Sequence, residues 1–384
     1  MINISNISLA FGEKTIFDRM NWFITEKSRI GLVGDNGQGK TTLMRAIMGM
    51  VDLDEGSIDI PNKKTFGYLP QDIVELEPIS LIGYFKKKSG LSDLEESIGN
   101  YEKQIAACPH GSEEYGRILG AYETAMAAFQ AKDGYSFEAR AKQMLKGFGF
   151  REEDFAKKCT DFSGGWKMRI LLGFILLSRP DIMLLDEPTN HLDTESMEWL
   201  ENHLKDYQGT LIAISHDRVF LDKLVRQIGE LENHVLTIYR GSYTYYLREK
   251  ENRLEALKKE MALQRSEIKK INEFVERFRY KSTKAKQVQS RIRMLEKFEV
   301  LKQADKTKTA AIKFPPCSKS GREVVSIQNL AKQYGDLEVF KNINLTVYRG
   351  DKISLVGVNG AGKTTLTRII SKEEDPTSGA LHYG

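Results

Sequence analysis

The chain has 384 residues, carries 57 Lys and Arg against 53 Asp and Glu for a net charge of +4, and is 41% hydrophobic. That length holds two or three domains with ample core, and the longest apolar run, Ile170 to Leu177, falls far short of the ~20 residues that span a bilayer. Cys108, Cys159 and Cys317 show no metal or redox spacing, and Met1-Ile2-Asn3-Ile4-Ser5 lacks the basic and apolar regions of a signal peptide, so the expectation is a cytoplasmic protein with no membrane partner.

Ile2 to Phe23 alternates as a strand, reaches Phe11, turns at a Gly and continues as a second strand. The apolar strand Ile30 to Val33 then leads into Gly34-Asp35-Asn36-Gly37-Gln38-Gly39-Lys40-Thr41-Thr42. This fits G-x-x-x-x-G-K-[ST], a loop whose backbone N–H groups cradle phosphates while Lys and Thr serve the γ-phosphate and a metal. Strand-like Phe66 to Leu69 is followed by Gln71. Leu94, Ile98, Tyr101 and Ile105 keep helical spacing up to a Cys108-Pro109-His110-Gly111-Ser112 break, and Tyr115, Ile118, Tyr122, Met126 and Phe129 resume it, which predicts a helical hairpin.

Ser163-Gly164-Gly165 precedes another helix, Ile182 to Leu185 is an apolar strand ending in Asp186-Glu187, and His191-Leu192-Asp193 follows at once. Leu211 to Ser215 is a further apolar strand, ending in His216-Asp217. Taken singly these have bland readings, since Ser-Gly-Gly is a common turn or N-cap and a strand-end His is often only a surface or capping residue. Leu254, Leu257, Met261, Gln264, Ile268, Ile271, Val275 and Phe278 then hold a 3-4 spacing, resumed at Ala285, Val288, Ile292 and Leu295 after Tyr280-Lys281-Ser282-Thr283. This predicts two long antiparallel helices of coiled-coil type with a short tip. Pro315-Pro316 closes the segment.

Val325 to Leu345 repeats the opening pattern, with Tyr334 in place of Phe11. The apolar run Ile353 to Val356, read as a strand, leads to a second loop, Gly357-Val358-Asn359-Gly360-Ala361-Gly362-Lys363-Thr364-Thr365. Two such loops point to a duplicated domain that binds nucleoside triphosphate.

The set of phosphate loop, Gln71, Ser163-Gly164-Gly165, Asp186-Glu187, Asp193 and His216, in this order, closely resembles the ATP-binding cassette (ABC) ATPases. The resemblance implies an α/β fold: a P-loop NTPase cassette with an inserted helical arm, an antiparallel two-helix linker and the start of a second cassette. It implies that Phe11 and Tyr334 stack on adenine. Gly34, Asn36, Gly37, Gly39, Lys40, Thr41 and Thr42 would bind ATP, as would Gly357, Asn359, Gly360, Gly362, Lys363, Thr364 and Thr365 in the second copy. Thr41, Gln71, Asp186 and Thr364 would serve Mg²⁺. Glu187 would be the general base, His216 the γ-phosphate sensor, Gln71 the contact to metal and attacking water. Ser163, Gly164 and Gly165 form the signature that faces another cassette's nucleotide, and Asp193 belongs to the D-loop. Phosphoryl transfer needs positioning and charge neutralisation more than covalent help, which suits donors, a metal and one carboxylate. Adjacent strand residues point opposite ways, so Asp186 and Glu187 are expected to divide their roles.

Trp166 replaces the usual Gln after Ser-Gly-Gly, and that variant, with the arm and with "YRGSYTYYL" (Tyr239 to Leu247) and "RFRYKSTKAKQVQSRIRMLEK" (Arg277 to Lys297), resembles the ABC-F proteins, twin-cassette ATPases that bind ribosomes. The expected organisation is a first cassette at 1–246 with an arm at about 92–133, a linker at 247–313, and the beginning of a second cassette at 323–384. Independently of the resemblance, residues 248–313 hold 20 Lys and Arg against 10 Asp and Glu, a local charge of +10 that leaves the remainder at −6. Arg277, Arg279, Lys281, Lys284, Lys286, Arg291 and Arg293 gather with no acidic residue among them, interleaved with Phe278 and Tyr280, which suits phosphate contact plus stacking on an exposed base. A solvated basic helix end is the bland alternative.

By resemblance, ATP closes two cassettes head to tail and sets the linker to enter the ribosomal E site and reach the P-site tRNA, the rRNA and tRNA being the partners. Nothing up to Gly384 supplies a second Gln loop, signature, carboxylate pair or His, so the 384-residue chain is expected to bind ATP and hydrolyse it poorly. Three alternatives stay open: the ATP-binding subunit of a membrane importer, a branched-DNA ATPase, and a scaffold using ATP as a structural ligand. Phosphate contacts do not separate RNA from DNA.

Overall fold

The computed structural model describes residues 1–61, 64–190, 192–278, 285–296, 321–357 and 360–384. Its contacts form two compact units, Met1–Tyr243 with Glu323–Gly384, and Thr244–Arg322.

In the first unit the chain opens with the antiparallel hairpin β1 (Ile2–Phe11) and β2 (Lys14–Ile24), which buries Ile2 and Ile4 and, after a register shift at Asn6, Ile7 and Leu9. Next come β3 (Arg29–Val33), α1 (Lys40–Ile47), β4 (Glu55–Asp59), which pairs with β1, and β5 (Phe66–Leu69). Five helices follow: α2 (Leu81–Lys88), α3 (Leu91–Ala107), α4 (Glu113–Ala131), α5 (Gly134–Gly147) and α6 (Gly164–Ser178). β6 (Ile182–Asp186), α7 (Thr194–Lys205), β7 (Thr210–Ile214), α8 (Arg218–Leu224), β8 (Gln227–Glu232) and β9 (Val235–Arg240) complete this cassette.

Strand order in the larger sheet is β5-β6-β7-β3-β8-β9, parallel except for β9. β6 and β7 are buried at every position, as expected of central parallel strands covered on both faces. Leu43, Met44 and Ile47 of α1 join the β1–β2 sheet and the parallel sheet in one core.

α3 and α4 pack as the helical hairpin the spacing predicts. Leu94, Ile98, Tyr101 and Ile105 face Tyr115, Ile118 and Tyr122 only half-buried, and Ser112 caps α4 by accepting from Tyr115 N at 3.1 Å. α6 is largely apolar and buries seven residues, and its Phe174 meets Tyr84 and Phe85 edge-on at 6.3 and 5.7 Å between centroids.

The second unit contains α9 (Tyr243–Phe278), 36 residues and so about 54 Å long, and α10 (Ala285–Glu296). Met261 and Ile271 are buried and Leu257, Gln264, Ile268 and Val275 half-buried, tracing the expected stripe; Leu254 is exposed, so the stripe starts one turn later than its spacing suggests.

From Glu323 the repeat begins again with β10 (Glu323–Tyr334) and β11 (Leu337–Tyr348), then α11 (Lys363–Ile370) and β12 (Ser378–Tyr383), the strands ordered β11-β10-β12. One expectation fails here. Residues 353–356 form no strand, and Ile353 and Val356 are 50% and 80% exposed. β3 is held in the first copy between β7 and β8, whereas no strand lies beside 353–356 among the described residues. Among those residues, no helix is long and apolar enough to cross a membrane.

Candidate nucleotide site

The phosphate loop leaves the end of β3 and closes on the N-terminus of α1. Gly34 and Gly39 stand at φ 146° and 99°. A Cβ at Gly34 would lie 2.3 Å from Leu231 O and one at Gly39 2.4 Å from Ile16 Cγ2, so both positions require glycine. Asn36 and Gly37 are exposed on the rim, and no side chain caps α1, leaving its N–H groups facing the loop, the arrangement that receives anions.

Lys40 is buried, and its Nζ donates to Gly34 O at 2.7 Å and Asp35 O at 3.0 Å. Burial lowers its pKa against the pull of Glu187 and Asp186. Thr41 Oγ1 donates to Asp186 Oδ2 at 2.6 Å, and Thr42 follows, half-buried. Asp186 is the last residue of β6 and nearly inaccessible; desolvation raises its pKa.

Glu187 lies beyond the end of β6 in the left-handed region, at φ 52°, held by its own N–H donating to Ile214 O at 2.9 Å. The turn, rather than strand alternation, sends the two carboxylates apart. Asp186 meets α1, while Glu187 Oε2 accepts from His216 N at 3.2 Å and Glu187 Oε1 stands 3.5 Å from His216 Nε2. Burial raises the Glu187 pKa. The His216 ring is otherwise exposed, and Gln71 shares a small cleft with Glu187 and Asn190.

Phe11 sits at the hairpin end, 55% exposed, in register with Lys14. Lys14 Nζ donates to Gly37 O at 3.3 Å, which brings that hairpin to the phosphate loop. Lys14 went unnoticed in the sequence because no motif marks it.

Ser163, Gly164 and Gly165 gather elsewhere, at the N-terminus of α6. Ser163 and Asp193 line one cleft of about 670 Å³, with Trp166 and Arg169 between them. Asp193 caps α7 through Ser196 N at 2.9 Å and stands 3.6 Å from Arg169 Nη2. Arg169 is 2% exposed, donates to Phe148 O at 2.8 Å and Ser196 Oγ at 3.3 Å, and stacks on Trp166 at 4.7 Å. The sequence signal for this cluster is an Arg directly before the apolar run Ile170 to Leu177 of α6.

In the second copy Gly357, Gly360 and Gly362 take φ of 158°, 86° and 83°, and Lys363 Nζ donates to Gly357 O at 2.7 Å. Thr364 is exposed and Thr365 half-buried on the first turn of α11, and Tyr334 ends β10. Asn359 lies outside the described residues, as do His191, Arg279, Tyr280, Lys281 and Lys284, and the side chains of Lys286 and Arg291. Arg277 and Arg293 are exposed on α9 and α10.

Residues 17–190 and 340–384 match a family model described as ABC transporter, and residues 229–314 match a second with the same description. "Probable ATP-binding protein YheS" of Escherichia coli (strain K12) is 34% identical over 381 residues, covering 99% of this chain and 58% of its own. "ABC transporter F family member 2" of Arabidopsis thaliana is 33% identical over 392 residues, covering 100% of this chain and 57% of its own. "Probable ATP-binding protein YbiT" of Escherichia coli O157:H7 is 32% identical over 384 residues, covering 100% and 71%. The chain belongs to the ATP-binding cassette proteins, in their ABC-F family. It spans somewhat over half the length of the first two relatives.

Proposed function

We propose that the protein binds ATP at both phosphate loops and hydrolyses it to ADP and phosphate with Mg²⁺ at the first. The observation that carries this reading is the convergence of Lys40, Thr41, Asp186, Glu187 and His216 at the ends of β3, β6 and β7. Thr41 Oγ1 and Asp186 Oδ2, two hard oxygens 2.6 Å apart, fit a magnesium site, with Gln71 at its edge and Thr364 as the second copy's counterpart. Mg²⁺, when bound, neutralises charge on the phosphate oxygens. Lys40 exchanges loop carbonyls for phosphate oxygens, so its buried charge gains a full counter-charge. Glu187, its basicity raised by burial, orients the attacking water and takes its proton as the bond from the γ-phosphorus to the bridging oxygen breaks. His216, against Glu187, contacts the γ-phosphate, and Phe11 and Tyr334 stack on adenine. Ser163, Gly164, Gly165 and Asp193 face a nucleotide held by another cassette.

On this reading residues 1–246 are one cassette with its arm at about 92–133, 247–313 the linker, and 323–384 the start of a second cassette. ATP-driven closure sets the basic linker for the ribosomal E site and the P-site tRNA, making the protein a cytoplasmic translation factor. The +10 charge of residues 248–313 supports this, because a membrane importer subunit has no use for it. The test is ribosome co-sedimentation of the Glu187→Gln protein with ATP and with ADP, at two salt concentrations. ATP-dependent pelleting is the expected outcome; absence of ribosomes with either nucleotide would remove the translation reading and leave the ATPase one.

A further inference from the structure

The two copies align without a gap: Phe11 and Tyr334, Gly34 and Gly357, and Lys40 and Lys363 all stand 323 residues apart. At that offset Leu9 corresponds to Lys332 and Val51 to Glu374. In the first copy Leu9 is buried and Val51 packs on the same core, so these two positions support the strand behind Phe11 by apolar contact. The second copy replaces both with charges. Lys332 Nζ and Glu374 Oε1 are 2.9 Å apart, with side chains only 12% and 21% exposed. The Tyr334 hydroxyl donates to Glu374 Oε1, and Lys332 Nζ stands 4.9 Å from the centre of the Tyr334 ring. Lys332 is itself anchored, donating to Asp375 O at 2.7 Å.

We propose that Lys332 and Glu374 are positioning residues that fix the Tyr334 ring as a pre-set base platform, so that the second phosphate loop draws more of its nucleotide affinity from the base than the first does. This rests on the reading of Tyr334 as the stacking residue. The chemistry is direct. A phenol bonded to a half-buried carboxylate and stacked under an ammonium loses its rotational freedom before the base arrives, so stacking costs less ordering. Phe11 has no hydroxyl to be held and is 55% exposed. With Tyr334 still 47% exposed, its ring retains surface for a base.

The test uses the full chain with Lys40→Ala, which silences the first loop, and calorimetric titration with ATP and with inorganic tripolyphosphate. The pair Lys332→Leu and Glu374→Val, which installs the first copy's residues, is expected to weaken ATP binding about three- to tenfold and leave tripolyphosphate unchanged. Glu374→Gln, which keeps an acceptor for the hydroxyl, should retain most of the affinity. Tyr334→Ala should lose at least as much as the pair. Unchanged ATP affinity in the pair, with a loss in Tyr334→Ala, overturns the positioning role and leaves stacking standing. Unchanged affinity in Tyr334→Ala removes the stacking reading itself. An equal loss for tripolyphosphate in the pair also overturns the proposal, since it shows damage to the phosphate loop.

Discussion

The two phosphate loops share their local geometry and differ in the sheet behind them. In both, a left-handed glycine precedes the helix and the lysine donates to the carbonyl of the first loop glycine at 2.7 Å. Yet β3 lies at the centre of a parallel sheet, while residues 353–356 pair with nothing among those described. The loop is thus a local structure, written by glycine placement and helix nucleation, whereas a central strand exists only when its neighbours do.

That contrast can be broken most directly by hydrogen exchange. Amides of β3 should exchange only through global unfolding, and those of 353–356 almost freely, a difference of roughly 10⁴-fold or more by mass spectrometry. Comparable protection would mean that the loop imposes its own strand. The next effect concerns the chemistry proposed for the first copy. Glu187→Gln should lower ATP turnover about 10³-fold while nucleotide affinity holds; an undiminished rate would take the base role from this carboxylate.

A smaller effect sharpens the comparison. Thr41→Val removes the donor to Asp186, and Thr364→Val removes an exposed hydroxyl. Magnesium-dependent ATP affinity should fall about tenfold for the former and less for the latter; equal losses would show that the loop alone sets the metal site. The smallest effect lies outside the loops. Asp181 is held down to about 2 by hydrogen bonds from Thr65 and by Lys64. Since its folded pKa lies below the ordinary value of about 3.9, the stabilisation is present above that value and fades as pH falls toward 2. Asp181→Asn should therefore lower the melting temperature slightly at pH 6, with the gap closing by about pH 2. A gap independent of pH would assign the effect to shape rather than charge.

Loops, helix breaks and half-buried stripes were legible in the sequence because each depends on residues within a turn or two. Gly39-Lys40-Thr41, the break at Cys108 to Ser112 and the Met261–Ile271 stripe are of this kind. The order β5-β6-β7-β3-β8-β9 was not legible, since it joins segments far apart in the chain. Nor was the left-handed turn at Glu187: strand alternation assigned the two carboxylates opposite directions for the wrong reason. The buried place of Arg169 was not legible either. Its burial depends on Phe148, Trp166, Asp193 and Ser196, which come from three separate stretches.

That guanidinium has a mechanical consequence. It touches α6, the turn after α5 and the N-terminus of α7 at once. Drawing Ser163 away from Asp193 would strand a buried cation, at a cost of several kcal/mol. Any force arriving at one of these two segments is therefore transmitted to the other as though through a pinned joint, and the pair travels together.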